Sequence, residues 1–395
     1  MDAPLTRIRS ATAALLLALG CLAPLAGEAA DVAATDADSQ QTDDDGDNAV
    51  DGGEIIRHTI TIENADGAAD TAAGVEYDNT LDPDTALVSG SVQISPVALD
   101  DTYSTTGNVT LDVGAGDGLL ANDVDPVAGG APPEAADAAG VTVTAETVTT
   151  AEGGTAVIDA DGSFEYRPEA GDTGVTDSFS YTITDADGMT ATATAEVELD
   201  GIVWFVDDTG ASGTGTQANP FDVNLAGDYA QLFGGSDIDA PGDRLFVHEG
   251  SYSAQFVLED DQVLTGAGAG LTLDGETIVG AGTAPVLTSG GDIVALAANN
   301  TVAGVDLRPD SGFAIAGNGS SGTSVTAPIT LSGNGGGISL NNHTGTFQYT
   351  GTISGAATRP AYALDGGVPS ITHNGAIDTT GARAVGAQSL NGGGG

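Results

Sequence analysis

Val305, Ile329, Ile353 and Ile377 stand 24 residues apart in three successive steps, and Leu307 and Leu331 repeat the step beside them. A second apolar pair follows in each unit: Phe313/Ile315, Ile338/Leu340 and Tyr362/Leu364. Small polar turn residues come just behind, as Asn318-Gly319, Asn341-Asn342 and Asp365-Gly366. Two short strands and a turn in about 24 residues cannot enclose a core alone, so such units must stack and bury one continuous apolar column. That is the logic of a parallel β-helix. Leucine-rich repeats share the length but need a Leu-x-x-Leu-x-Leu frame, absent from this region.

Upstream the period is two. In "EIIRHTITIEN", Ile56, His58, Ile60 and Ile62 share one face, which predicts a half-buried strand, and Val75-Glu76-Tyr77 predicts another. "NVTLDV" (108–113), "VTVTAETV" (141–148) and "GTAVIDADGSFEYRP" (154–168) alternate and break at Gly, Asp or Pro. The last reads as a hairpin turning at Asp161-Gly162. "DSFSYTIT" points Phe179, Tyr181 and Ile183 inward, and "MTATATAEVEL" puts Ala191, Ala193, Ala195, Val197 and Leu199 on one face. No segment reads as a helix. The expectation is an antiparallel sandwich of roughly a hundred residues. The acidic run from Asp31 to Asp51 lacks the apolar surface to offset chain entropy and reads as a disordered spacer.

Charge narrows the partners. The 395 residues hold 57 acids against 8 bases, all Arg, for a net charge of -49. Binding nucleic acid or anionic lipid requires Lys and Arg to neutralise phosphate, so both are excluded as partners. The load is uneven: residues 281–395 hold only Asp292, Asp306, Asp310, Asp365 and Asp378 with three Arg. An acidic surface without Lys suits cation binding or solubility in high salt, and equally a solvated face. Arg7 and Arg9 precede the apolar run "ATAALLLALGCLAPLAG", which has the length of a signal-peptide core rather than a membrane span. Cleavage after Ala29 would leave a chain without cysteine or transmembrane segment, since Cys21 lies inside the run, where it is also a candidate for lipidation. The product is expected to be exported, either secreted or held at the cell surface or outer membrane.

Four motifs in order, "SPVALDDTYSTT", "GLLANDVDP", "DGSFEYRPEAGDTGVTDSFSYTITDADG" and "ATATAEVEL", resemble the cadherin-like, Ig-like repeat of large bacterial surface proteins. The stretch "HTITIENADGAADTAAGVEYDNTLDPDTALVSGSV" is similar to a short repeat often placed ahead of such modules. "VWFVDDTGASGTGTQANPF", "PGDRLFVHEGSYSAQFVLEDDQVLTGAGAG", "NNTVAGVDLR" and "GGGISLNNHTGTFQYTGTISG" resemble pectin-lyase-like β-helices of the autotransporter-passenger type. The expected plan is all-β: a signal peptide (1–29), an acidic linker (30–50), a short β repeat (51–97), an Ig-like/cadherin-like sandwich (98–200) and a right-handed parallel β-helix, a solenoid (201–395), which reads as cut short.

The catalytic signals are thin. A β-helix lyase needs a base beside a carboxylate cluster, yet there is no Lys, and Arg308, Arg359 and Arg383 have no dense acids nearby in sequence. A hydrolase needs paired carboxylates, and Asp306 with Asp310 is the closest pair, equally explained as a coil corner. His58, His248, His343 and His373 lack zinc spacing, and Gly317-x-Gly319-x-x-Gly322 lacks the helix that would hold a pyrophosphate. Calcium is the cation to expect, because it takes six to eight oxygens and clustered loop carboxylates supply them. The resemblance puts such acids at module junctions: Asp100 and Asp101, Asp123 and Asp125 beside Asn122, and Asp185 and Asp187. For Asp185 to Gly188 a tight turn stabilised by backbone hydrogen bonding is the competing reading, favoured over a metal. The reading is of a non-enzymatic surface protein acting in adhesion or surface structure. Its partner would be a surface glycan, another cell-surface protein or a further copy of itself. A polysaccharide lyase or hydrolase is the alternative.

Overall fold

The computed structural model describes residues 32–40, 56–64, 95–125, 140–234, 237–381 and 385–388. The signal peptide with Cys21, the Val75–Tyr77 strand and Arg383 lie outside the described residues. By contact the chain divides into two compact units, Met1–Ser91 and Val92–Gly395.

In the first unit β1 (Val32–Gln40) pairs antiparallel with β2 (Ile56–Asn64), Val32 opposite Asn64 and Gln40 opposite Ile56. The alternation of β2 is legible in sequence. β1 falls inside the acidic stretch expected to be a disordered spacer. Main-chain bonds supply this pairing, and they do not depend on apolar side chains.

The second unit begins with two sheets over one core. β3 (Asp101–Gly107), β5 (Thr142–Val143), β9 (Thr176–Thr184) and β10 (Thr190–Val206) make the first sheet. β4 (Leu111–Val113), β6 (Glu146–Thr149), β7 (Thr155–Ile158) and β8 (Phe164–Arg167) make the second, in the order β4-β8-β7-β6. The predicted hairpin is present: Ile158 faces Phe164 across the β7–β8 turn, where Gly162 takes φ +85°. Phe179, Tyr181, Ile183, Ala193, Ala195, Val197 and Leu199 all point into the core, as their alternation requires. Tyr103, Phe164 and Phe179 meet edge to face at its centre, with centroids 4.9 and 5.4 Å apart.

β10 does not stop at the edge of this core. Its first half pairs with β9 and β3, and its last residues, Val203–Val206, pair in parallel with Arg244–Val247. From there the strands pair in parallel, except for the antiparallel pair Leu271–Leu273 and Glu276–Val279. Trp204, Leu245, Leu264, Val302, Val325 and Tyr349 form one column, each opposite the next and each nearly inaccessible. Tyr252, Leu287, Leu307, Ile329 and Ile353 form a second, and Phe256, Val294, Ile315, Ile338 and Tyr362 a third. All three columns share one hydrophobic cluster.

The register corrects the sequence repeat in part. Ile329, Ile353 and Ile377 pair as spaced, and Asn318, Asn341 and Asp365 stack in a row. Val305 is buried but is not the partner of Ile329, which lies opposite Leu307. Bulges between Leu296 and Ala298 and between Ser321 and Thr323 shift the count, so the step is 23 residues at Ile315/Ile338 and again at Tyr362/Val385, and 24 at Val325/Tyr349, Ile329/Ile353, Ile338/Tyr362 and Ile353/Ile377. The expectation of no helix also fails. α1 (Ala226–Phe233) has eight residues and no capping side chain, which leaves little sequence signal, but it buries Leu232 and Phe233 against the core.

Candidate functional site

The acids singled out in the sequence fall into two places. At one end of the sandwich, Val97 and Val124 bridge through main-chain bonds of 2.7 and 3.0 Å, which lays 122–125 beside 97–101. Asp100, Asp101, Asn122 and Asp123 meet there. The Leu99 amide donates to Asp123 Oδ1 at 2.8 Å and the Thr194 amide to Asp100 Oδ1 at 2.8 Å. Asn122 Nδ2 donates to the Asp100 carbonyl at 3.1 Å. The Tyr181 hydroxyl lies 2.8 Å from Asp101 Oδ2, 2.9 Å from the Leu99 carbonyl and 3.1 Å from the Leu119 carbonyl, and its one proton serves one of them at a time. Asp125, half-buried, follows one residue after the bridge.

Asp123 is fully buried, and its Oδ2, like the Tyr103 hydroxyl, is buried with no partner among the described residues. Burial pushes the Asp101 carboxyl up to about 6, Asp123 and Asp100 nearby push the same way, and the Tyr181 hydrogen bond opposes them. Burial likewise raises Asp123 to about 6 against the Leu99 amide and Tyr181. Two acids are thus held in a place that resists their charge, and a proton or a cation relieves it. Carboxylate oxygens are the right donors for calcium, and Asp123 Oδ2 has a lone pair to give. Yet among the described residues no three Asp, Glu, His or Cys side chains are grouped so as to hold an ion by themselves.

Asp185 and Asp187 sit elsewhere, at the β9–β10 turn. Thr190, which faces Thr184 across that turn, is four residues before Thr194, about 13 Å along β10 at ~3.3 Å per residue. Asp185 Oδ1 accepts from the Asp187 and Met189 amides at 2.9 and 2.8 Å, and Gly188 takes φ +83°. The carboxylate stabilises its own turn, as the competing reading held, and Asp187 is exposed.

Two further acidic positions carried no sequence signal. Asp177, fully buried, accepts from the Thr150 and Tyr166 hydroxyls and from the Glu152 and Ser178 amides. Burial alone would raise its pKa, but these donors hold it below the usual carboxylate range. In the parallel stack, Gln262 Nε2 donates to Asp239 Oδ2 at 2.8 Å, while Asp239 Oδ1 and Glu259 Oε2 are buried without partners among the described residues. Burial pushes Asp239 up to about 6. Sequence reasoning missed both because the partners lie 11 to 27 residues away along the chain.

Among the described residues the candidate catalytic groups have separate surroundings, apart from Arg308 with Asp306. Arg308 Nη2 and Nε reach the neighbouring Asp306 Oδ2 at 2.6 and 3.0 Å, and the Arg359 guanidinium stands 5.2 Å from the Phe313 ring centroid. His343 is fully buried, with Nδ1 2.8 Å from Ser320 Oγ. His373 packs on Tyr349 and Tyr362, and His248 on Phe205 and Phe246. Gly317, Gly319 and Gly322 lie within the strand Phe313–Thr326, not ahead of a helix. Among the described residues no helix is long and apolar enough to cross a membrane.

No curated protein and no solved structure matches the chain. Residues 93–201, which hold both sheets of the sandwich and the corner formed by Asp100, Asp101 and Asp123, match the bacterial cadherin-like domain family, so the chain carries a cadherin-like domain.

Proposed function

We propose that the chain is an exported surface protein acting in adhesion or surface structure, with the sandwich as stalk and the parallel stack as a non-enzymatic platform. The stack is read as a right-handed parallel β-helix of pectin-lyase-like, autotransporter-passenger type, because three apolar columns converge on one core. A bacterial cadherin-like domain is compatible with a surface or adhesion role. The observation that carries the reading is β10, one 17-residue strand that passes from one core into the other across a register shift between Leu199 and Ile202, where Gly201 takes φ +66°. It is supported at the joint by hydrogen bonds of 2.9 Å from the Gly171 amide to Asn108 Oδ1, from the Gln217 amide to the Asn108 carbonyl and from the Thr110 amide to Gln217 Oε1. A load on the platform would pass into the stalk through continuous backbone. Displayed on a non-adherent bacterium, the full chain should raise attachment to cells or coated surfaces several-fold and release no reducing sugar from polysaccharides. Sugar release without attachment would favour the lyase or hydrolase instead.

A second reading concerns calcium, favoured by the unpartnered Asp123 Oδ2. The ion would take Asp101 and Asp123, with Asp100 and Asp125 close by, and complete its shell from carbonyls and water. Calorimetry should detect calcium binding that Asp123→Asn abolishes, while Asp187→Asn leaves it intact. No heat above dilution at millimolar calcium removes the ion from the account.

A further inference from the structure

The charge of this chain stops abruptly. Between Asp310 and Asp365 there is no acidic residue, in a sequence that carries 57. That tract supplies the strands Phe313–Thr326 and Thr344–Tyr349 of the stack, and the neighbours of the latter continue into Val368–His373. Phe347 and Tyr349 point inward and are fully buried, so the residues alternating with them face out. The outward row is Thr301, Ser324, Gln348 and Thr372, each opposite the next in register. Thr346 opposite Ser370 lies beside it. Thr346, Gln348, Ser370 and Thr372 are exposed and Thr301 and Ser324 half-buried, and none of their side chains bonds to another described residue.

Resting on the adhesive reading above, we infer that this outward face is the binding surface of the platform and that its partner is an uncharged polysaccharide. Thr, Ser and Gln each both donate and accept, as sugar hydroxyls do. Parallel strands repeat them every ~4.8 Å, and alternate residues along a strand repeat every ~6.6 Å, which gives a flat lattice of hydroxyl and amide groups. A cationic partner would gather on the acid-dense parts of the chain instead, and a polyanion would be repelled by the molecule as a whole. A protein partner wants aromatic or aliphatic anchors at the centre of its footprint. The exposed large apolar residues among those described are Val97, Leu99, Val157, Val175, Ile238, Val257 and Ile377, none of them on this face.

The test uses the full chain in affinity electrophoresis through gels containing dextran, mannan or xylan, with alginate as the acidic probe. Retardation is expected with at least one uncharged polymer and not with alginate. The double substitution Gln348→Glu with Thr372→Glu should weaken it at least ten-fold, whereas Gln348→Thr should keep it. Thr147→Glu, on the exposed face of the sandwich, should leave it unchanged, and circular dichroism checks that each variant is folded. Three outcomes overturn the proposal: no retardation by any uncharged polymer, stronger retardation by alginate, or equal retardation of the double variant. Sedimentation showing a dimer that the double variant dissolves would also overturn it, by assigning the face to a second copy. If displayed cells still attach while the polymers fail, the partner is wrong and the adhesive role stands; if attachment fails too, the role itself is wrong.

Discussion

Inside the sandwich, three fully or nearly buried carboxylates, Asp101, Asp123 and Asp177, are held among the hydroxyls of Tyr166, Tyr181 and Thr150 and nearby main-chain amides. Inside the stack, the three columns from Trp204, Tyr252 and Phe256 contain no charged side chain, and buried polar groups such as Gln262, Asn300 and His343 sit between them. The same short strands are therefore stabilised in two ways. At the sandwich corner, burial of Asp101 and Asp123 is conditional on what the carboxylates bind, a proton or a cation. Along the three columns it depends on shape, and the buried acids of that region, Asp222, Asp228 and Asp239, lie outside them. The contrast separates a region that can respond to its medium from one that offers a constant surface.

Removing shape from the stack should produce the largest effect. Phe256 is fully buried, with the Phe233 ring 5.3 Å away and the Tyr252 ring 6.5 Å away. Phe256→Ala should cost about 3–5 kcal/mol in urea unfolding, from lost transfer energy and the cavity left behind. The sandwich should instead be sensitive to a lost acceptor. Asp177→Ala strands the Tyr166 and Thr150 hydroxyls and two amides, and about 1–3 kcal/mol in all is expected, because water entering the space of the lost carboxylate serves most of them. A Phe256→Ala protein within ~1 kcal/mol of wild type would break the comparison, since the column would then not be a close-packed core.

The acidic corner of the sandwich and the coils around His343 should answer pH in opposite directions, whereas Asp239, raised to about 6 by burial at the near end of the stack, should follow the sandwich. Asp101 and Asp123 titrate near 6 when folded against 3.8 as the ordinary value. As pH rises from about 4 to 6 the unfolded chain loses these protons first, so the sandwich loses stability over that window. The ceiling is about 3 kcal/mol for either acid at ~1.4 kcal/mol per pH unit, and the two are coupled, so the effects do not add. Burial lowers the pKa of His343 and His248 below 6.5, so the unfolded chain binds those protons first as pH falls through 6.5, and the stack weakens around them on acidification. Native-state hydrogen exchange at Tyr181 and Tyr349 reads the two regions separately. Protection at Tyr181 should rise from pH 6.5 to 4.5 while that at Tyr349 falls, and Asp123→Asn should flatten the first response. Parallel changes at both amides would mean the regions open as one.

Much of this was legible in the sequence, and the rest was hidden for a physical reason. Alternation in 154–199 is a local property, so the hairpin, its Asp161-Gly162 turn and the inward Phe179, Tyr181 and Ile183 could be read directly. The column through Ile329, Ile353 and Ile377 was legible because these residues keep a 24-residue step. Val305 misled, since bulges on either side of it, at Leu296/Ala298 and Ser321/Thr323, displace the register and nothing in residue type announces a bulge. Of the six acids chosen from the sequence, Asp100, Asp101 and Asp123 come together, yet the closure of their corner by Tyr181 spans 80 residues. Asp177 was missed because what distinguishes it from a turn aspartate is the set of donors around it, which only the fold assembles.

The finest comparison sets two ion pairs side by side. Arg167 pairs with Glu165 at 2.6 Å with side chains 52% and 34% exposed, and Arg308 pairs with Asp306 at 2.6 Å with 51% and 19% exposed. Exposed pairs contribute ~0–1 kcal/mol and weaken with salt, so Arg167→Ala should cost less than about 0.5 kcal/mol. Asp306 differs in that its Oδ1 is buried without a partner among the described residues while Oδ2 takes two bonds from Arg308. Arg308→Ala would leave a part-buried carboxylate in an otherwise sparsely charged stretch, and about 1 kcal/mol is expected. Raising salt should erase the Arg167 effect and leave most of the Arg308 effect, because ions screen exposed charge better than buried charge. Equal losses that vanish together in salt would mean that the stack, at its corners at least, handles charge as the sandwich surface does.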